Sequence, residues 1–333
     1  MSDVIAVLGA GSWGTALAVH CARLGHDVRL WARDDVLVDE IAAIGENSRY
    51  LHGVPVDASI RATARLDRAL EHAAVVVAAV PSHGMRAVLR RAAPLVPRDA
   101  IVVSAAKGIE RDTLERMSHV IAQEVGDRRI VVLSGPSFAI EVARGLPTAL
   151  VAASADRDAA TYIQETLKGP TFRLYASDDV AGVEIGGALK NVIAIAAGVV
   201  DGLQLGHNAM AALITRGLVE ISRLACAEGA RRDTLSGLSG LGDLVLTCTG
   251  DLSRNRQVGI QLGRGRSLDD ILSHMRMVAE GVRTTSAALS LGERRGIELP
   301  IAAQMAAVLD GRSTPRDAVD ALMLRRQRAE IDH

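Results

Sequence analysis

One stretch near the start, VIAVLGAGSWGTALAVHCARLGHDVRLWAR, restricts the fold more than any other. An apolar run, Val4 to Leu8, meets Gly9, Gly11 and Gly14 in the spacing G-x-G-x-x-G, and a helical pattern follows at once. Strand, glycine turn and helix, with a second strand within about 30 residues, make a dinucleotide-binding unit. The first glycine permits the tight turn, the second lets a pyrophosphate approach the backbone, and the third lets the helix pack on the strand. Unpaired N–H groups of the helix N-terminus then face the phosphates, with Ser12 and Trp13 lining the turn. The second strand ends in Trp31-Ala32-Arg33. Arginine there suits the 2′-phosphate of NADP(H), whereas Asp34 and Asp35 keep NAD(H) open through a ribose hydroxyl.

The first half continues in the same texture. Val4–Leu8, Val28–Trp31, Val75–Val80, Ile101–Ser104, Ile130–Leu133 and Leu150–Ala153 are apolar runs of strand length, with a last short strand at Phe172–Ala176. Helix-patterned segments separate several of them, which predicts an α/β, doubly wound, mostly parallel Rossmann-type sheet covered on both faces. After Ser177 the chain reads as successive helices, with Ser177 or Asp178 as N-cap. Val180–Val200, Met210–Glu228, Leu268–His274, Thr284–Arg295, Ile301–Leu309 and Pro315–Leu324 are the predicted helices. The expected division is a nucleotide-binding domain over 1–180 and an all-helical substrate-binding and catalytic domain over 181–333.

Composition removes several functions. A length of 333 residues suffices for two domains, and the net charge of −1 gives no footprint for nucleic acid. Cys21, Cys226 and Cys248 form no C-x-x-C pair and read as small reduced core residues of a cytoplasmic protein. The acidic start MSDVIAVLGAG does not read as a secretory leader, and no apolar run free of charge or glycine reaches membrane-span length. The nine histidines form no zinc-type cluster, so no metal is expected.

Other residues with chemical capacity collect at predicted strand ends and on the first long helix. Pro81-Ser82-His83 follows one strand, and His83 reads as lining the cofactor site rather than as a general acid. Lys107 follows another strand, and Gly135, Ser137 and Ala139 occupy a strand-to-helix turn. A cation and a helix N-terminus on one sheet edge suit an anionic substrate. In EIGGALKNVIAIAAG, Lys190 sits in an apolar run, although lysine is rarely buried unless paired. Its helical neighbours Gly186, Gly187, Ala194 and Ala197 are small, which leaves room for a ligand or for close helix packing, and Asn191 adds a polar group. The glycine-studded segment GLSGLGDLVLTCTGDLSRNRQVG gathers Asp243, Thr247, Ser253, Arg254 and Asn255 and reads by periodicity as a solvated loop. Arginine can hold a phosphate bidentately, with serine and asparagine completing the oxygen shell.

Taken together, GAGSWGTALA, VPSH, SAAKGIE, SGPSFA, GALKNVIAIAAG, GLGDLVLTC, SRNR and VAEGVRT resemble, in order, the bacterial NAD(P)-dependent sn-glycerol-3-phosphate dehydrogenases. The resemblance spans nearly the whole chain. It implies reduction of dihydroxyacetone phosphate to sn-glycerol 3-phosphate for glycerophospholipid synthesis, with the substrate between the two domains. It implies Lys190 as the acid/base residue, with Lys107, Gly135, Ser137, Asp243, Ser253, Arg254 and Asn255 around the substrate. It further implies cofactor contacts from Ser12, Trp13, Arg33, Lys107, Ala139, Arg254, Val278 and Glu280. A homodimer is an open expectation.

The chemistry agrees with these roles. Hydride addition to a ketone leaves charge on oxygen, so a proton donor must lie within hydrogen-bond reach. A free lysine, with a pKa of about 10.4, starts as that acid, and acting as a base in oxidation needs a lower value. Two alternatives compete: a dehydrogenase of the same build acting on a hydroxy acid or polyol, and a non-catalytic sensor that binds NAD(P).

Overall fold

The computed structural model describes residues 2–275, 279–326 and 329–330. The chain opens with β1 (Val4–Leu8), α1 (Ser12–Arg23), β2 (Asp27–Trp31), α2 (Asp35–Ile44), β3 (Arg61–Thr63), α3 (Leu66–Leu70), β4 (Val75–Ala78) and α4 (Ser82–Ala92). It continues through β5 (Ile101–Ser104), α5 (Met117–Val125), β6 (Arg129–Ser134), α6 (Ala139–Ala143), β7 (Thr148–Ala153), α7 (Arg157–Leu167) and β8 (Phe172–Ser177). These strands form one sheet in the order β3-β2-β1-β4-β5-β6-β7-β8, parallel throughout except for the β6–β7 pair. The predicted strands are present within two residues at each end. The short β3, whose Arg-Ala-Thr carries no apolar run, is legible only in the fold.

A parallel sheet must bury both faces, and this one does. Along β1, Ile5 and Val7 pack into one layer and Ala6 and Leu8 into the other, all fully buried. The opposite layers are completed by α1 on one face and by α4 and α5 on the other.

The helical C-terminal domain consists of α8 (Val180–Gly202), α9 (Gly206–Ala227), α10 (Arg232–Leu235), a π turn at Leu238–Gly242, α11 (Asp243–Thr249), α12 (Arg254–Gly263), α13 (Leu268–Ser273), α14 (Glu280–Arg295), α15 (Pro300–Leu309) and α16 (Pro315–Met323). Its centre is α8, long and apolar enough to cross a membrane by length and composition, yet entirely buried inside the fold. A helix that is apolar all round needs neighbours all round, and α9, α11, α12 and α14 supply them.

The stretch read as a solvated loop, 237–259, instead folds into the π turn and the helices α11 and α12. Glycine there serves close packing rather than chain reversal. A Cβ on Gly198 would overlap the Arg256 carbonyl oxygen, and one on Gly259 would overlap that of Ile195, so the two helices cross backbone to backbone. The N-cap of α8 is Asp179, one or two residues beyond the expected Ser177 or Asp178. Its Oδ1 accepts from Gly182 N at 2.9 Å and its Oδ2 from Arg231 N at 2.9 Å. Cys21 and Cys248 are core residues as expected, but Cys226 is exposed on α9.

Candidate active site

The loops after β1, β2, β4, β5 and β6 leave from the carboxyl edge of the sheet, which is where doubly wound folds bind ligands. The glycine turn is built tightly: Gly9 has φ +115°, and a Cβ on Gly14 would overlap the Gly9 carbonyl oxygen. Asn47, missed in the sequence, is wholly buried and pins this turn through Nδ2 to Ala10 O at 2.9 Å and Thr15 Oγ1 at 2.8 Å. Its neighbours Gly45, Glu46, Arg49 and Tyr50 are half-buried, and nothing in their spacing marks Asn47.

Several features of this turn fit a dinucleotide. No side chain caps α1, so its leading N–H groups remain available, and a side chain at Gly11 would meet no protein atom within 4 Å. Trp13 Nε1 is a buried donor without a partner among the described residues, while Ser12 Oγ donates to Tyr50 O at 2.6 Å. At the end of β2, Asp34 caps α2 at Val36 N and pairs with Arg49 at 2.6 Å. Arg33 is exposed beside it with no ion pair among the described residues.

The substrate end centres on one carboxylate. Asp243, fully buried at the start of α11, receives Lys107 Nζ on Oδ2 at 2.7 Å and Lys190 Nζ on Oδ1. Lys107 also donates to Gly135 O at 2.9 Å, and Lys190 to Thr247 Oγ1 at 2.8 Å. Lys190 is only 6% exposed, so it does not snorkel. Burial pushes it down from its ordinary value to about 8; the Asp243 carboxylate opposes that fall, and the Lys107 ammonium adds to it.

The small residues around Lys190 turn out to serve approach of neighbouring backbone and side chains rather than an open gap. A Cβ on Gly187 would lie 2.5 Å from Ser134 Oγ, and one on Gly186 would lie 2.8 Å from Ser239 O. These contacts bring α8 against the end of β6 and against the π turn, and so place Lys190 beside Lys107. Gly135 has φ +138°, a conformation that glycine adopts without strain. Ser137 does not cap α6, whose N-cap is Phe138; its Oγ donates to Gly135 O at 3.1 Å.

The segment Ser253-Arg254-Asn255 starts α12. Ser253 Oγ accepts from Arg256 N at 3.2 Å, and the first turn of this helix carries Arg254, whose side chain is open to solvent. Asn255 is tied internally, with Nδ2 to Asn191 Oδ1 at 2.9 Å and Oδ1 to Gly281 N at 2.9 Å. Glu280, the first residue of α14, accepts from Ser82 N at 3.0 Å and thus links the two domains. Burial raises its carboxyl above the usual range, against the pull of Ser82 N and Arg254. Ala139 begins α6 at the same sheet edge, and Val278 lies outside the described residues. A further interdomain tie was not read in the sequence: Glu184 on α8 receives Arg116 Nη1 at 2.6 Å, Ser118 N at 2.7 Å and Ser118 Oγ at 2.6 Å.

Comparison with known proteins agrees along the whole chain. The N-terminal family model of NAD-dependent glycerol-3-phosphate dehydrogenase matches residues 4–160, and the C-terminal one matches 179–320. A glycerol-3-phosphate dehydrogenase [NAD(P)+] of Nitratidesulfovibrio vulgaris is 53% identical over 98% of this chain and 99% of its own length. One from Moorella thermoacetica is 50% identical over 100% and 99%. The crystal structure of the Coxiella burnetii glycerol-3-phosphate dehydrogenase superposes with a TM-score of 0.94, at 42% identity, over 97% of this chain and 99% of that one. With both halves matched in order and half the residues shared with curated relatives, the chain belongs to the NAD-dependent glycerol-3-phosphate dehydrogenase family.

Proposed function

We propose that Lys190 is the proton donor and acceptor of this enzyme, and that Lys107, Asp243 and the start of α12 hold its phosphorylated substrate. The chain is an NAD(P)-dependent oxidoreductase that interconverts dihydroxyacetone phosphate and sn-glycerol 3-phosphate. The observation that carries the assignment of Lys190 is the Lys107–Asp243–Lys190 bridge, which joins a sheet-edge cation to a buried helix cation through one carboxylate.

Each residue then has a task that follows from its surroundings. When bound, the nicotinamide cofactor would supply or accept the hydride. Gly9, Gly11, Ser12, Trp13 and Gly14 would hold its pyrophosphate at the start of α1, and Arg33 would bind at its adenosine ribose. Lys107, Ala139, Arg254, Val278 and Glu280 complete that set by resemblance to the family. In reduction, Lys190 Nζ gives a proton to the carbonyl oxygen, and burial then favours the neutral amine that remains. Asp243 and Thr247 orient Nζ throughout, so the proton transfer needs little rearrangement. Lys107 limits how firmly Asp243 can hold the proton on Lys190, which keeps the reverse reaction accessible. Arg254 binds the phosphate bidentately at the first turn of α12, with the Ser253 hydroxyl and the backbone N–H of Asn255 beside it. Gly135 and Ser137 line the wall across from Lys190. Phosphate binding energy spent on orientation lowers the barrier at the carbonyl.

The proposal includes a nucleotide-binding domain over 1–180 and a helical domain over 181–333, a cytoplasmic setting, and a homodimer that light scattering would reveal as a doubled mass. The test is NADPH oxidation at 340 nm with dihydroxyacetone phosphate or dihydroxyacetone. We expect turnover with the first and at least a hundredfold lower kcat/KM with the second. Equal rates would favour a polyol dehydrogenase, and binding of NADPH without turnover would favour a sensor.

A further inference from the structure

Arg33, His83 and Arg283 belong to three elements distant in sequence. Arg33 follows β2, His83 lies on the first turn of α4, and Arg283 lies on the first turn of α14. The sheet order puts β1 between β2 and β4, so the segments carrying Arg33 and His83 flank the glycine turn on either side. Backbone bonds fix both segments there: Gly9 N donates to Trp31 O at 2.9 Å, and Ala79 N to Leu8 O at 2.9 Å. The helical domain joins them through Glu280, whose Oε1 accepts from Ser82 N at 3.0 Å. Arg283 is three residues beyond Glu280, hence on the same face of α14.

The three side chains are exposed, and among the described residues none has an ion pair. His83 feels both arginines all the same. After burial, the Arg283 guanidinium and then that of Arg33 hold the His83 imidazole below its ordinary pKa. Nearby arginines are treated differently by the fold. Arg49, next to the same strand end, is neutralised by Asp34 at 2.6 Å and Glu40 at 3.0 Å. The carboxylate that would otherwise accept a ribose hydroxyl is therefore engaged, and Arg33 beside it has no ion pair among the described residues. Two guanidiniums near His83, neither with an ion pair among the described residues, suit a dianionic phosphate, which arginine binds through paired N–H groups.

We propose that Arg283 and Arg33 form a two-sided clamp on the 2′-phosphate of NADP(H), with one arm from each domain. The proposal rests on the dinucleotide reading of the glycine turn. It makes cofactor choice a property of both domains, because the second arm comes from a helix that contributes nothing to the sheet.

The experiment compares adenosine 2′,5′-bisphosphate with 5′-AMP by calorimetry on the full chain, since the two nucleotides differ only in the 2′-phosphate. The wild type should bind the bisphosphate more tightly. Arg283→Ala should weaken that binding about tenfold or more, the scale of losing charge-assisted hydrogen bonds, and leave 5′-AMP unchanged. Arg33→Ala should do the same, the double variant should lose the preference, and Arg283→Lys should restore part of it. In turnover, kcat/KM for NADPH should fall in Arg283→Ala while that for NADH stays. Equal losses for both nucleotides would move Arg283 to the pyrophosphate and overturn the clamp, and so would unchanged affinity for the bisphosphate. Failure of the wild type to bind either nucleotide would instead overturn the dinucleotide reading itself.

Discussion

The pH dependence of Lys190 gives the sharpest check on the mechanism. Its displacement from 10.5 to about 8 corresponds to about 3 kcal/mol against the charged form, at about 1.4 kcal/mol per unit. Reduction uses the ammonium, so its kcat/KM should fall as pH rises through about 8. Oxidation uses the free amine, so its kcat/KM should rise through the same point. One unit above the midpoint about a tenth of the enzyme is still protonated, and reduction should drop about tenfold with each further unit. The neighbours predict opposite displacements. Asp243→Asn removes the anion that favours the ammonium and should move the break to lower pH. Lys107→Gln removes a competing cation and should move it higher, each by about one unit. The pH profile of kcat/KM from pH 6 to 10, in both directions, measures these breaks in the enzyme before substrate binds. Breaks that coincide in all three proteins, or move the same way in both variants, would refute the assignment of Lys190.

Three other expectations concern separate parts of the molecule. Glu220 is 5% exposed and accepts from Ile301 N at 2.6 Å and Ala302 N at 3.4 Å at the start of α15. Burial raises it from 4.5 to about 7, against those two N–H groups. A folded pKa above the unfolded one stabilises the fold fully below pH 4.5, and that stability is lost as pH rises through about 7. Urea unfolding should therefore show a loss approaching about 3 kcal/mol across this window, and Glu220→Gln should flatten it; an unchanged slope in the variant would exclude Glu220 as its source. In Gly198→Ala the new methyl would overlap Arg256 O and come within 2.7 Å of Ile260 N. The expected cost is about 2 kcal/mol or more, seen as a lower Tm, whereas an unaltered Tm would mean that the α8–α12 crossing can open at no cost. Arg254→Ala should raise KM for dihydroxyacetone phosphate at least tenfold with a smaller change in kcat and leave dihydroxyacetone unaffected. A loss shared equally by both substrates would remove the phosphate role.

Much of the first domain was legible in the sequence because its signals are local. A strand buried on both faces has to be a continuous apolar run, and the turn after β1 has to contain glycine, so Val4–Leu8 and Gly9, Gly11 and Gly14 state the fold directly. The bounds of Ile101–Ser104 follow from the same rule, whereas the edge strand Phe172–Ser177, expected over Phe172–Ala176, alternates buried and exposed residues. The helical domain was legible in its long apolar members and failed where glycine was read as loop punctuation. At the end of 237–259 Gly259 admits a second backbone, and that meaning depends on Ile195 and Gly198, which are distant in sequence.

The sequence by itself determined that a dinucleotide turn, a sheet covered on both faces and an unusual lysine on an apolar helix had to occur in this chain. Each of those depends on residue type and short-range spacing. Only the tertiary structure decided what the lysine does. Asp243 lies 53 positions from Lys190 and 136 from Lys107, and it becomes their common partner because Gly186 and Gly187 let α8 settle onto the π turn and the end of β6. The small residues that looked like an opening for a ligand are the contact surface that aligns the three charges. A desolvated charge pair is set by which backbones can approach, and that distance is fixed by packing between segments, which periodicity along one segment does not encode.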